Sequence, residues 1–296
     1  MQNKWKSIKT LRLPLEQGAQ EEAIAVSIQT FLPTGKKASE MQYSLDGEPE
    51  LEVTWKYDNN ENPIHEVHVY HQWDGKEEIF RTFDAQGKET EVIKSFDEGG
   101  KEITRTAYDD WGNMCHRVVT DEDGTIETEE VVRYEEDRMM ERTLKDGDGK
   151  ILLHSVMQYD ERGICIEEKT ENHGYRPFVI KQNRLKKEHK PSYTIYNADG
   201  QPYEKCRRSY DDLDRLTEEI MESTQNGYSK TITRLAYNED GQETLSETTF
   251  GEDILLRRHA SQYRLDGWME KQEIFEMNPA NKQAHLETLI WEYTPW

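Results

Sequence analysis

The sequence predicts an all-β fold: an elongated, curled antiparallel sheet of about 18–20 strands, built from hairpin repeats of about 25–26 residues. Three observations predict it. A unit made of an aromatic, an Asp or Asn and a turn containing Gly recurs along the chain. The recurrences are evenly spaced. The segments between them are rich in Thr, Val, Ile and aromatics, and they lack the apolar spacing of helices.

Taken in chain order, the unit begins with "FLPTGK" at Phe31 and "YSLDGE" at Tyr43. It continues as "YDNNEN" at Tyr57, "FDAQGK" at Phe83, "FDEGGK" at Phe96 and "YDDWGN" at Tyr108. Next come "YEEDRM" at Tyr134, "YDERGI" at Tyr159, "YNADGQ" at Tyr196 and "YDDLDR" at Tyr210. The series ends with "YNEDGQ" at Tyr237, "FGEDIL" at Phe250 and "YRLDGW" at Tyr263. Tyr57, Phe83, Tyr108, Tyr134 and Tyr159 lie 26, 25, 26 and 25 residues apart, and Tyr210, Tyr237 and Tyr263 lie 27 and 26 apart. Each half-step holds about eight or nine extended residues and a tight turn, which is one strand and its hairpin connection.

"KETEVIKSF" and "KEITRTAY" are typical strands, and Asn, Asp and Gly supply the turn conformations between them. Along Lys88–Phe96, one face shows Glu89, Glu91, Ile93 and Ser95, and the other Lys88, Thr90, Val92 and Lys94. Both faces are wet, which fits a thin sheet solvated on both sides or one coiled around a partly polar interior. Twist accumulates, so an open sheet beyond about ten strands curls or splits. The aromatic closing each strand is expected to stack on its neighbour one hairpin away.

The units "YDDWGNM", "YDERGIC", "YNADGQP" and "YNEDGQE" resemble the Tyr-Asp (YD) repeats of the RHS family, and the resemblance runs from about Phe31 to Tyr293. It implies a scaffold: in that family the repeats build a long sheet that spirals into a shell, often around a toxin domain, and they carry no catalytic residues. This chain is short beside large RHS toxins and shows no appended toxin domain or recognisable plug segment. Full enclosure of a large cargo is therefore not expected. The chain divides into an N-terminal segment or cap (1–30), repeats (31–172), an irregular basic insert (173–195), and further repeats with a C-terminal cap (196–296).

Composition narrows the function classes. Only 34% of residues are hydrophobic and 33% are charged, but 15 Tyr, 7 Trp and 7 Phe spread along the chain argue for a folded protein with much surface. A net charge of −22 opposes nucleic acid and anionic membranes as partners and favours a basic protein. Two stretches run against it. Met1–Leu15 carries Lys4, Lys6, Lys9 and Arg12 without an acid, and the insert carries Arg176, Lys181, Arg184, Lys186, Lys187 and Lys190 against Glu188. No apolar run is long enough to span a bilayer as a helix, and the N-terminus lacks the apolar core of a signal peptide. Cys115, Cys165 and Cys206 form no disulfide framework, so a cytoplasmic location is expected.

Candidate chemistry meets a plainer reading at each site. "DEDG" (Asp121–Gly124) and "DGDG" (Asp146–Gly149) resemble calcium loops, yet their flanks are strand-like and similar pieces recur as turns. His65, Glu66, His68 and His71 resemble a zinc-protease motif, but His65 and His68 are spaced i, i+3 on a strand and face opposite sides. Cys115 and His116 are strand neighbours, so the imidazole is badly placed to activate the thiol. No metal, cofactor or catalytic residue is expected. The insert reads either as a segment docked on the chain's own acidic sheet or as a recognition loop.

The expected function is a non-enzymatic protein-binding scaffold. In its most concrete form it is a bacterial, toxin-associated immunity protein or chaperone, binding a basic protein such as a toxin domain through the acidic sheet. The expected contact residues are Arg176, Lys181, Arg184, Lys186, Lys187, Lys190, Trp73 and Trp111. The alternatives are a structural or carbohydrate-binding shell fragment using Trp55, Trp73, Trp111 and Trp268, and, third, a hydrolytic enzyme.

Overall fold

The computed structural model describes residues 5–13, 23–172, 178–183, 192–197, 199–225, 227–278, 281 and 283–295. They form 22 strands, and no helix occurs among them. The first eight are β1 (Trp5–Leu13), β2 (Ile24–Phe31), β3 (Lys37–Tyr43), β4 (Pro49–Tyr57), β5 (Pro63–Tyr70), β6 (Gly75–Phe83), β7 (Glu89–Phe96) and β8 (Lys101–Tyr108). There follow β9 (Met114–Thr120), β10 (Ile126–Glu135), β11 (Arg138–Asp146), β12 (Ile151–Tyr159), β13 (Cys165–Asn172), β14 (Phe178–Asn183) and β15 (Ser192–Asn197). The last seven are β16 (Pro202–Tyr210), β17 (Leu216–Ser223), β18 (Ser229–Tyr237), β19 (Glu243–Phe250), β20 (Ile254–Tyr263), β21 (Met269–Asn278) and β22 (Gln283–Pro295).

Every strand pairs antiparallel with the next, from β1–β2 through β21–β22. The ring then closes, because β22 also pairs with β1, from Trp5↔Pro295 to Leu13↔Thr288. The fold is thus a closed 22-stranded up-and-down barrel, not the open curled sheet of about 18–20 strands expected from the repeats. Turn signals undercount the strands because several, among them β1, β13, β14 and β21, end without an aromatic–Asp–Gly unit, and β14 lies in the basic stretch. Closure has a physical reason. An open sheet leaves two unpaired edges, whereas the β1–β22 ladder removes both.

Each strand contacts only its two neighbours in the ring. At about 4.8 Å per strand, such a ring is roughly 34 Å across before strand tilt widens it. The accessible surface, 19331 Å² for 35.0 kDa, exceeds the roughly 13,000 Å² of a compact chain of that mass. A wall one sheet thick, wet on both faces, accounts for the excess.

The two faces still differ. Val53, Ile79, Glu130, Val132, Ser155, Met157, Thr170 and Cys206 are buried and all lie on one face, linked by cross-strand pairs such as Ser155↔Thr170. Their strand neighbours Phe80, Val131, Arg133, Val156 and Arg207 are exposed. Each described strand contacts only its neighbours in the ring, so cover comes from the crowding that curvature imposes on the concave side, which assigns the covered face to the lumen. Leu11, Thr120 and Ile232 are the buried residues of the outer face.

The hairpins alternate between two rims. One carries the turns after even-numbered strands, including 58–62, 84–88, 109–113, 160–164, 211–215, 238–242 and 264–268; we call it the first rim. Asp160 shows how the sequence makes these turns. Its Oδ1 accepts the backbone N–H groups of Arg162 and Ile164, both at 2.9 Å, and the N–H of Gly163 returns to its carbonyl. Gly163 has φ 75°, the left-handed region where glycine is favoured, and a bulge at Gln158/Tyr159 immediately precedes the turn. The same carboxylate pattern recurs at Asp58, Asp84, Asp109 and Asp211.

Candidate functional site: the rims and the lumen wall

The aromatics that close the even-numbered strands sit on the lumen face beside the first rim. Their rungs differ from the stacked ladder expected. Tyr57, Tyr108, Tyr159, Tyr237 and Tyr263 each donate the hydroxyl to a backbone carbonyl at or near the start of the preceding strand, at 2.6–2.8 Å. Burial raises the Tyr108, Tyr159 and Tyr237 hydroxyls above their ordinary range, so they remain protonated donors. A cation covers the ring in several rungs: Lys88 over Tyr108 at 5.2 Å and Arg215 over Tyr237 at 4.8 Å. Where β1 meets β22, Trp5, Trp268 and Tyr293 form an aromatic cluster, with Arg264 over Trp5 and Tyr293.

The lumen wall is polar but paired. Glu66 accepts from His68 at 2.6 Å and lies 2.9 Å from Arg81, which also reaches Glu89 at 3.2 Å. Burial would raise the Glu66 carboxyl, but the bonds from His68 and Arg81 outweigh it and hold the pKa below the usual range. Buried Glu130 lies 2.5 Å from Arg142 and 3.7 Å from Arg117. The outer face carries Arg105–Glu91, Arg133–Glu141 and three similar His–Glu pairs, His65–Glu78, His116–Glu129 and His154–Glu141, each at 3.0 Å. Charges stand at mid-strand on both faces. Among the described residues, neither face thus shows an apolar band uninterrupted by charge.

The acid excess lies elsewhere. Acids and bases nearly cancel along the strands, and the turns hold the surplus. On the first rim stand Asp109 and Asp110, Glu136 and Asp137, Asp211, Asp212 and Asp214, and Glu239 and Asp240. On the second are Asp97 and Glu98, Asp121, Glu122 and Asp123, and Glu252 and Asp253. Among the described residues both rims therefore carry a net negative charge. The signal was present in the sequence, because the acids cluster in the turns rather than in the strands between them.

The motifs singled out in the sequence each find partners within the fold. Asp121 and Asp146 each use Oδ1 to accept two backbone N–H groups of their own turn. His65 and His68 engage Glu78 and Glu66 on opposite faces. Cys115 Sγ points to the Ala107 carbonyl at 3.5 Å, whereas His116 bonds Glu129. Among the described residues no three His, Cys, Asp or Glu gather as metal ligands. Two cavities lie along β20–β22, one of about 760 Å³ lined by Arg257, Glu276 and His285, and one of about 190 Å³ lined by Leu255, Phe275 and Leu286.

Of the expected contact residues, Trp73 and Trp111 are both exposed, on opposite rims. Trp73 is stacked on Tyr70 at 4.9 Å, so part of its role is local packing. Trp55 and Trp268, expected to be exposed, are half-buried, the first under Lys37 and the second in the aromatic cluster. Lys181 lies in β14, its backbone paired with Glu167 and Thr194. Arg176, Arg184, Lys186, Lys187 and Lys190 lie outside the described residues. Sequence reasoning missed the exposed Leu45, Leu213, Tyr228 and Leu265, which occupy turn positions that tolerate polar side chains.

No protein-family model matches the chain, and no curated protein matches it. Among solved structures it is similar to the Photorhabdus luminescens Tc holotoxin pore, at 10% identity and a TM-score of 0.41, covering 92% of this chain and 18% of that one. It is similar to a porin-like protein from Bacteroides uniformis at 8% identity and a TM-score of 0.34, covering 99% and 98% of the two chains. A third similarity is to a TcdB2–TccC3–Cdc42 structure, at 11% identity and a TM-score of 0.26, covering 96% of this chain and 20% of that one.

Proposed function

We propose that the chain is a non-enzymatic protein-binding barrel that engages a basic protein through its acidic rims. In its most concrete form it is a bacterial, toxin-associated immunity protein or chaperone. The concentration of acids on the turns carries this reading, since a rim of net negative charge steers and selects a basic partner. The charged outer wall supports a barrel standing in water, and the Tyr-Asp turns, through their resemblance to RHS repeats, support the toxin-associated setting. The pairing of the lumen carboxylates with Arg and His supports a structural wall over a catalytic one.

The test is affinity capture with the purified chain from its source cell at physiological ionic strength, followed by reconstitution. The expected result is a partner of basic isoelectric point whose affinity falls steeply as salt rises. A neutral or acidic partner, or binding indifferent to salt, would overturn the reading. A second reading, a carbohydrate-binding shell fragment, has the exposed Trp111 ring in its favour. Salt-insensitive glycan binding lost in Trp111→Ala would favour it.

A further inference from the structure

Three side chains on the first rim are not what its turns require. Two residues after the turn-forming Asp or Asn, this rim carries Asn60, Gln86, Arg162 and Asp240, all polar. In two turns the same position holds Trp111 and Leu213, which are 78% and 70% exposed. Leu265, on the 264–268 turn, is fully exposed. Trp111 makes no ring contact among the described residues, unlike Trp73 on the second rim, which lies on Tyr70. Nothing in the turn hydrogen bonding needs these side chains: each turn closes through Asp109, Asp211 or the backbone of Arg264.

Their placement around the ring limits the occupant. The Trp111 turn follows β8, the Leu213 turn follows β16 and the Leu265 turn follows β20. The knobs are thus eight, four and ten strands apart around a ring of 22. At about 4.8 Å per strand the shortest of these arcs is roughly 19 Å and the longest roughly 48 Å. They surround the mouth, so one short peptide cannot reach all three. A compact domain of about 100 residues, with a radius of gyration of about 13 Å, is roughly 34 Å across, close to the width of the ring. A second copy of this chain seated end-on is opposed by charge, because both rims are acidic.

Resting on the reading above, the geometry points to one occupant: a folded basic domain of roughly 100–150 residues that caps the first rim. Trp111, Leu213 and Leu265 are its apolar anchors. Asp110, Glu136, Asp137, Asp212, Glu239 and Asp240 form the charged surround that excludes acidic partners. Aromatic and aliphatic anchors ringed by polar residues are the usual anatomy of such a contact.

The experiment installs a photo-crosslinking phenylalanine analogue, one position at a time, at 111, 213 and 265. Controls sit at Leu45 and Tyr228 on the second rim and at Val156 on the outer wall. Each variant is irradiated in the source cell, after circular dichroism has shown the barrel intact. The expected result is one basic domain crosslinked from 111, 213 and 265 and not from the controls. With that partner purified, combined Trp111→Ala, Leu213→Ser and Leu265→Ser should weaken binding at least 30-fold. Crosslinks to a basic protein from the second rim or wall alone would leave the proposed function standing and overturn this inference. A non-basic partner, or no crosslink from any position, would overturn both.

Discussion

The hydroxyl of Tyr108 donates to the carbonyl of Glu89 at 2.8 Å, tying the end of β8 to the start of β7. The same bond joins Tyr57 to Lys37, Tyr159 to Met139, Tyr237 to Leu216 and Tyr263 to Glu243, so each of these tyrosines staples its hairpin turn to the previous one. Phe83 holds the equivalent place without a hydroxyl. Tyr108→Phe should therefore fold normally and lose about 0.5–1.5 kcal/mol, the net worth of one hydrogen bond. Chemical denaturation of the variant measures it, and an unchanged midpoint would remove the staple from the account.

The turn carboxylates make stability fall in acid. Asp58, Asp160 and Asp211 are held below the ordinary carboxylate range, chiefly by the backbone N–H groups of Asn62, Ile164 and Arg215. A depressed folded pKa contributes stability that is present above the unfolded value, about 3.9, and is lost as pH falls through the folded one. The melting temperature should therefore drop as pH goes below about 4. Asp160→Asn should keep the turn, as Asn197 does in its own, and flatten that dependence, whereas Asp160→Ala should destabilise at every pH.

The three thiols should differ in reactivity. Cys206 is 1% exposed, and burial pushes its pKa up to about 11, while Cys115 and Cys165 are half-buried. Ellman's reagent should titrate two thiols in the native protein and a third only on unfolding. Three rapid equivalents would show that the wall around Cys206 opens readily.

Closure should be visible in hydrogen exchange. Amides of β1 and β22 that bond across the junction should be protected like those of mid-wall strands, because neither is an edge. Trp5→Ala removes a buried ring packed on Tyr293 at 5.0 Å and should cost about 3–5 kcal/mol. It should also raise exchange in β1 and β22 before the rest. Uniform exchange across all strands would mean that the junction is not the point at which the barrel comes apart.

Much of this protein can be read locally. The period of the aromatic–Asp–Gly units marks the hairpins, because a turn needs φ above zero at Gly163 and a carboxylate acceptor at Asp160 within a few residues. Strand alternation places His65 and His68, and Cys115 and His116, on opposite faces, and each side chain finds a separate partner there. The rungs were less legible. A repeat of aromatics suggests ring stacking, but the distance between successive rungs is two strands, so the hydroxyl reaches backbone and a cation such as Lys88 covers the ring.

The amino-acid sequence by itself determined the hairpin periodicity, the all-β class and the acidity of the turns, because each depends on residues a few positions apart. Whether the sheet ends in two edges or meets itself depends on twist and stagger summed over every strand. Only the tertiary structure decided that β1 pairs with β22 across almost the whole chain length. The same closure gives the wall a lumen face and an outer face. It also sets Trp111, Leu213 and Leu265, scattered through the sequence, around one mouth.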